Sequence, residues 1–173
     1  TSASCRSGTD RAAELARARP GSRDDVFVNV QGDEPAMPPA ALKALVACFA
    51  QAEVKMATLV RPLEPAERGN PNVVKVVRDE AGHALYFSRH DLPHGDGTLK
   101  RWAHVGIYGY RRETLLKLAS LPPTALEESE RLEQLRALGH GVGIFCCEIS
   151  QRTQAVDAPA DVPLAEARLR EFP

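Results

Sequence analysis

A strand that runs straight into two carboxylates constrains this chain more than any other stretch. Val26 to Val30 reads as a β-strand, with Val26, Val28 and Val30 on one face and Phe27 making the other face apolar too. A strand apolar on both faces suits the middle of a parallel sheet covered by helices. The run stops at Gly32, and Asp33 and Glu34 follow at once. Ligands of open α/β sheets bind in the crevice beyond the carboxyl ends of strands. Gln31, Asp33 and Glu34 are therefore delivered to a candidate site. Carboxylate oxygens there can hold Mg²⁺, which in turn can hold phosphates. Taken alone, Gly-Asp-Glu-Pro also reads as an acidic turn closing a strand.

The remaining sequence supplies a sheet of that kind. Ala12 to Arg19 is a helix ended by Pro20-Gly21, with Thr9 or Asp10 as its cap. Leu42, Leu45, Val46 and Phe49 fall at helical spacing within a helix over 40–52. Val54 to Leu63 is a strand, and the runs 73–78 and 83–89 form a hairpin around Asp79-Glu-Ala-Gly82. A loop over 90–101 is placed to act as a lid. His104 to Tyr110 is a strand whose Gly106 and Gly109 allow close backbone approach. After a short helix over 112–120, Thr124-Ala-Leu-Glu127 is a capping box that opens one helix through Leu126, Leu132, Leu135 and Leu138. A buried strand over 142–149 and a last helix ending near Phe172 complete the chain.

This pattern predicts one α/β domain over residues 1–173, a mostly parallel sheet with helices on both faces and a β-hairpin excursion. A hydrophobic content of 43% with 26% charged residues is that of a globular domain. A net charge of −1 gives no general attraction to nucleic acid or anionic membrane. No apolar run reaches the length of a membrane span. Cys5, Cys48, Cys146 and Cys147 match neither a disulfide framework nor a zinc site, which points to reduced thiols in a cytoplasm.

Several side chains could carry chemistry. Asp33 and Asp157 each stand near the end of a strand, and two carboxylates on one sheet edge can share one Mg²⁺. His104 and Tyr108 share a strand face. Glu133 and Gln134 flank an apolar helical stripe, where an ordinary solvated face with a Glu127–Arg131 pair is the plainer reading. Arg89 ends a strand and can clamp a carboxylate, or be a surface arginine. Ser7, Gly8 and Asp10 stand where a loop feeds a helix N-terminus, a place that can hold an anion.

Four motifs in order resemble one family. Val28-Asn-Val-Gln-Gly-Asp-Glu-Pro35, His104-Val-Gly-Ile-Tyr-Gly-Tyr110, Leu132-Glu-Gln-Leu-Arg136 and Val156-Asp157-Ala-Pro-Ala-Asp161 are similar to the signatures of 3-deoxy-manno-octulosonate cytidylyltransferases, the CMP-KDO synthetases. The resemblance runs from Ser7 to about Asp161. It implies a fold of the nucleotide-diphospho-sugar transferase type. It also implies coupling of CTP with 3-deoxy-D-manno-octulosonate (KDO) to CMP-KDO and pyrophosphate, for lipopolysaccharide biosynthesis in the cytoplasm, by a homodimer. By the same resemblance Asp33 and Asp157 ligate the catalytic Mg²⁺. Ser7, Gly8 and Asp10 lie near the cytidine, and Gln31, Arg89, His104, Tyr108, Glu133 and Gln134 bind substrate. Two other readings stay open: a cytidylyltransferase for another acidic sugar, and a non-catalytic sugar-binding or dimer-forming remnant. The family opens with a strand and a Gly/Arg/Lys-rich loop that grips the triphosphate. Nothing of that kind precedes Ser7, and the first residue is Thr1. The expectation is a chain that begins partway through a protein and does not make CMP-KDO alone.

Overall fold

In the computed structural model the longest strand is Trp102–Arg111, and most of the sheet is built on it. The structure describes residues 1–5, 7–95, 99–150, 153–156 and 158–171. Among these the strands are β1 (Val26–Asn29), β2 (Met56–Pro62), β3 (Lys75–Arg78), β4 (Ala84–Ser88), β5 (Trp102–Arg111) and β6 (Phe145–Glu148). The helices are α1 (Gly8–Ala18), α2 (Pro39–Ala47), α3 (Arg112–Leu118), α4 (Ala125–Glu130), α5 (Gln134–Gly139) and α6 (Val162–Leu169). All described strands join one sheet in the order β4-β3-β5-β2-β6, with β1 also on β5.

The α/β class, the helices on both faces and the hairpin excursion stand as expected, but the sheet is mixed. Only β2–β6 is parallel among the described ladders, while β1–β5, β2–β5, β3–β4 and β3–β5 are antiparallel. The reason lies in what covers β1. Phe27 packs into a core with α1, α3 and α5, while Val26 and Val28 pack into a second core with α2. Helices on both faces make a strand apolar on both faces whichever way its neighbour runs.

The hairpin turns far enough to reach the opposite edge of the sheet. The Cys146 amide donates to the Gly82 carbonyl at 2.9 Å, and the Ala84 amide to the Ile144 carbonyl at 2.8 Å. Both ends of the strand order are thereby partly tied to each other.

Local chemistry sets the helix starts. Ser7, rather than Thr9 or Asp10, caps α1: its hydroxyl accepts from the Asp10 amide at 3.2 Å. Thr9 is instead buried, with its hydroxyl 3.3 Å from that of Tyr110. Pro39 stands in the first turn of α2, where a missing N–H costs nothing. Ala41 and Leu45 are buried, and a 3₁₀ turn over Cys48–Ala50 carries Phe49 into the same core. That packing needs Gly109, because a Cβ there would sit 2.6 Å from the Phe49 ring. Gly106 has no such constraint, with its nearest neighbour at 3.6 Å.

The helix expected through Leu138 is two helices. The Thr124–Glu127 capping box opens α4 as expected. Arg131 then takes a left-handed conformation at φ 54, which ends α4, and α5 begins three residues on. Glu127 consequently pairs with Arg136 at 2.5 Å and not with Arg131. No helix among the described residues is long and apolar enough to cross a membrane.

Candidate functional site

A gap beside β5 creates the site. β2 pairs with β5 along one side from Trp102 to Tyr110. On the other side β1 pairs with residues 108–111 and β3 with residues 102–103. β1 and β3 thus lie end to end, and between them β5 has no strand partner on that side, only the bond from the His104 amide to the Val74 carbonyl at 2.8 Å. The C-terminal end of β1 and the N-terminal end of β3 both point at this gap. A bulge deepens it: Thr58 opposes Tyr108 while Leu59 opposes Val105, so Gly106 and Ile107 are extra residues on β5. Bulges of this kind re-aim side chains beside functional sites.

The gap opens into a cleft of about 690 Å³. Gln31, Asp33, Arg89, His104 and Tyr108 line it, and so do Glu133 and Gln134 across from them. Residues just after β1 and β4, on β5 and at the α4–α5 break therefore meet in one space. Gln31 bridges the gap itself, donating from Nε2 to the Gly106 carbonyl at 2.9 Å. His104 and Tyr108 share a face as expected, with ring centroids 5.4 Å apart. Glu133 stands at the start of α5 and accepts a hydrogen bond from the Ser7 hydroxyl at 2.8 Å. That bond ties the N-terminus of α1 to the cleft, whereas Gly8 and Asp10 do not line it.

Arg89 is no ordinary surface arginine. Its Nε donates to the Glu130 carbonyl at 3.1 Å and its Nη1 to the Pro71 carbonyl at 3.1 Å. It therefore satisfies an otherwise open carbonyl at the end of α4, its Nη2 reaches the Arg131 carbonyl at 3.5 Å, and the side chain lines the cleft. Lys75 is fully buried beneath, donating to the carbonyls of Asn70 at 2.6 Å and Arg89 at 3.0 Å. These bonds hold Arg89 and the turn before β3 in place.

Protonation in the cleft is set mainly by burial. Desolvation pushes the His104 pKa down to about 3, so the ring is neutral. Desolvation first, then Tyr110 and Glu133, push the Tyr108 phenol well above its ordinary value. Gln134 is 6% exposed, and its Nε2 has no partner. An unpaired buried amide donor is costly in a closed protein and suits a site that takes a polar ligand.

Asp33 lies on the cleft wall, and its carbonyl accepts from the Val156 amide at 2.8 Å. Asp157 falls outside the described residues. No group of three His, Cys, Asp or Glu side chains that could hold a metal occurs among the described residues. Mg²⁺ does not need one: it keeps several waters and uses one or two carboxylates plus substrate phosphates. The Asp33 carboxylate on the wall of this polar cleft fits an ion brought in with a phosphate ligand.

Thr58 escaped the sequence reading. It is fully buried under the bulge, and its Oγ1 lies 2.9 Å from His104 Nε2, 2.9 Å from the Ile107 carbonyl and 3.2 Å from the Val105 carbonyl. The only signal available was a hydroxyl in the otherwise apolar run Met56–Val60.

Comparison with known proteins gives a consistent result. The family model for cytidylyltransferases matches residues 1–144. A 3-deoxy-manno-octulosonate cytidylyltransferase of Myxococcus xanthus is 54% identical over 173 residues, covering 98% of this chain and 70% of the relative. One from Nitratidesulfovibrio vulgaris is 45% identical over 171 residues, covering 95% of this chain and 68% of the relative. Among solved structures, a CMP:2-keto-3-deoxy-manno-octonic acid synthetase complexed with CTP superposes with a TM-score of 0.87 at 34% identity, covering 96% of this chain and 70% of the other. A glucose-1-phosphate thymidylyltransferase from Bacillus anthracis, with a TM-score of 0.63 at 14% identity over 100% of this chain and 64% of its own, shares the fold.

Proposed function

Because the chain belongs to the 3-deoxy-manno-octulosonate cytidylyltransferase family, we propose that its cleft couples CTP with KDO, giving CMP-KDO and pyrophosphate. The observation that carries this reading is the convergence of Gln31, Asp33, Arg89, His104, Tyr108, Glu133 and Gln134 on one cleft. The reaction forms a bond from the anomeric oxygen of KDO to the α-phosphorus of CTP. The bond from that phosphorus to the bridging oxygen of pyrophosphate breaks, and the hydroxyl proton passes to solvent.

The chain's own part is to position the two substrates. The N–H groups of Arg89 that the Glu130, Pro71 and Arg131 carbonyls do not take suit the sugar carboxylate. Glu133 accepts from sugar hydroxyls, and the Gln134 carboxamide beside it on the cleft wall can pair with a sugar hydroxyl. His104, neutral at working pH, offers a hydrogen bond and does not act as the base. Ser7, Gly8 and Asp10, at the start of α1, belong to the nucleotide side, and the Ser7–Glu133 bond links that side to the sugar side. Gln31 holds the β5 backbone across the gap.

Asp33 and Asp157 are the proposed Mg²⁺ ligands. When bound, Mg²⁺ offsets charge on the phosphates. The bond from the Val156 amide to the Asp33 carbonyl supports the pairing, since it brings the residue before Asp157 beside Asp33. A homodimer working in the cytoplasm for lipopolysaccharide biosynthesis completes the proposal.

Asp33→Asn in the complete protein tests it, because it removes the charge and keeps the shape. Pyrophosphate release with CTP, KDO and Mg²⁺ is expected to fall by about 100-fold or more, with the melting temperature unchanged. Activity near that of the parent protein would remove Asp33 from the metal site.

A further inference from the structure

The contacts of Thr58 determine which nitrogen of His104 carries the proton. A hydroxyl has one proton to give. Two acceptors compete for it, the Ile107 carbonyl at 2.9 Å and the Val105 carbonyl at 3.2 Å. Neither carbonyl can donate. Were the hydroxyl proton given to His104 instead, both carbonyl oxygens would face the Thr58 oxygen with no hydrogen between them, in a buried place where such contacts are costly. The third neighbour, His104 Nε2 at 2.9 Å, can donate.

We propose that Thr58 is a positioning residue that fixes His104 as the Nε2–H tautomer, leaving unprotonated Nδ1 free to accept a hydrogen bond from a hydroxyl of the sugar acid. Thr58 gives its proton to the bulge carbonyls and accepts one from Nε2. The ring is partly exposed on the cleft wall, and it makes no other hydrogen bond among the described residues. Phe87 and Tyr108 hold its plane, with centroids 5.1 Å and 5.4 Å away. One buried hydroxyl thus couples the β5 bulge to the hydrogen-bonding character of a side chain in the cleft. In metal sites the same logic lets a neighbour's hydrogen bond choose the free nitrogen of a histidine.

The assignment of the tautomer stands on geometry alone, while the sugar hydroxyl as its partner rests on the proposed function. One experiment separates them. Long-range proton–nitrogen spectra of the ¹⁵N-histidine-labelled chain are recorded at pH 7, with His104 assigned by its loss in His104→Gln. The Nε2–H pattern is expected in the parent chain and in Thr58→Ser, and a mixed or reversed pattern in Thr58→Val. An Nδ1–H pattern in the parent chain, or Thr58→Val identical to it, overturns the tautomer assignment. Should Thr58→Val fail to fold, the parent and Thr58→Ser spectra still decide. Adding KDO to the complete protein is expected to move the His104 Nδ1 signal, with CTP alone leaving it in place. A KDO titration that leaves Nδ1 unmoved overturns the sugar partner and not the tautomer. In steady-state kinetics Thr58→Val is expected to raise the KM for KDO about tenfold, with the KM for CTP unchanged and Thr58→Ser keeping the parent KM for KDO. An equal rise for both substrates marks Thr58 as merely structural and overturns the positioning role.

Discussion

Burial rather than a charged neighbour controls the ring at His104, and that has a consequence for acid stability. An unfolded histidine binds a proton below about pH 6.5, whereas the folded ring does so only near pH 3. Between these values the unfolded chain holds more protons, so stability rises with pH across the window. The contribution is complete above about pH 6.5 and is lost as pH falls toward about 3. We expect urea unfolding to show about 1–2 kcal/mol less stability at pH 5 than at pH 7 from this group, after allowing for its partial exposure. His104→Gln should remove that portion of the slope; an unchanged slope would count against a desolvated neutral ring. His104 itself was legible in the sequence, as were Asp33, Tyr108, Glu133 and Gln134, because each sits inside a recognisable motif. Thr58 was not, since a threonine in Met56-Ala-Thr-Leu-Val60 looks like any β-favouring residue. Its importance comes from a bulge on another strand, and a bulge leaves no mark on the strand it opposes.

At the scale of elements, the fit of the Cys48–Ala50 turn against β5 decides what Gly109 can become. Phe49 is 7% exposed and its ring lies where a Cβ would go, 2.6 Å away. Gly109→Ala is expected to cost about 1–3 kcal/mol through overpacking. Gly106→Ala meets its nearest neighbour at 3.6 Å and should stay within about 0.5 kcal/mol. Urea midpoints for the two variants check this, and the opposite ranking would contradict the packing described. Element type was readable from periodicity: α1, α2, the β3–β4 hairpin and the α4 capping box all lie close to where spacing puts them. Direction and continuity were not. Alternation says which faces of β1 are covered, not which way β5 runs past it. The α4–α5 break rests on one left-handed arginine, a conformation its side chain does not announce. That break nonetheless matters, because it brings Glu133 and Gln134 to the start of a helix at the cleft wall.

Across the whole molecule, both cores are laid against β5. Tyr108 and Tyr110 face the core with α1, α3 and α5, and Val105 and Ile107 face the core with α2. Neither core can loosen without disturbing that strand. The chain has one tryptophan, Trp102, at the first position of β5 and 7% exposed, so its fluorescence reports on the strand directly. We expect Trp102 fluorescence and far-ultraviolet circular dichroism to give coincident unfolding curves, the mark of a single cooperative transition. Separate midpoints would show that one helical layer comes away first. The position of β5 in the chain also carries a consequence for biosynthesis. Among the described residues, β1 pairs only with β5, and β2 only with β5 and β6. A ribosome making this protein synthesises both strands before β5, the partner they share. They stay unpaired with it until the segment ending at Arg111 emerges, and non-local pairing of this kind is slow and exposes apolar strands to aggregation.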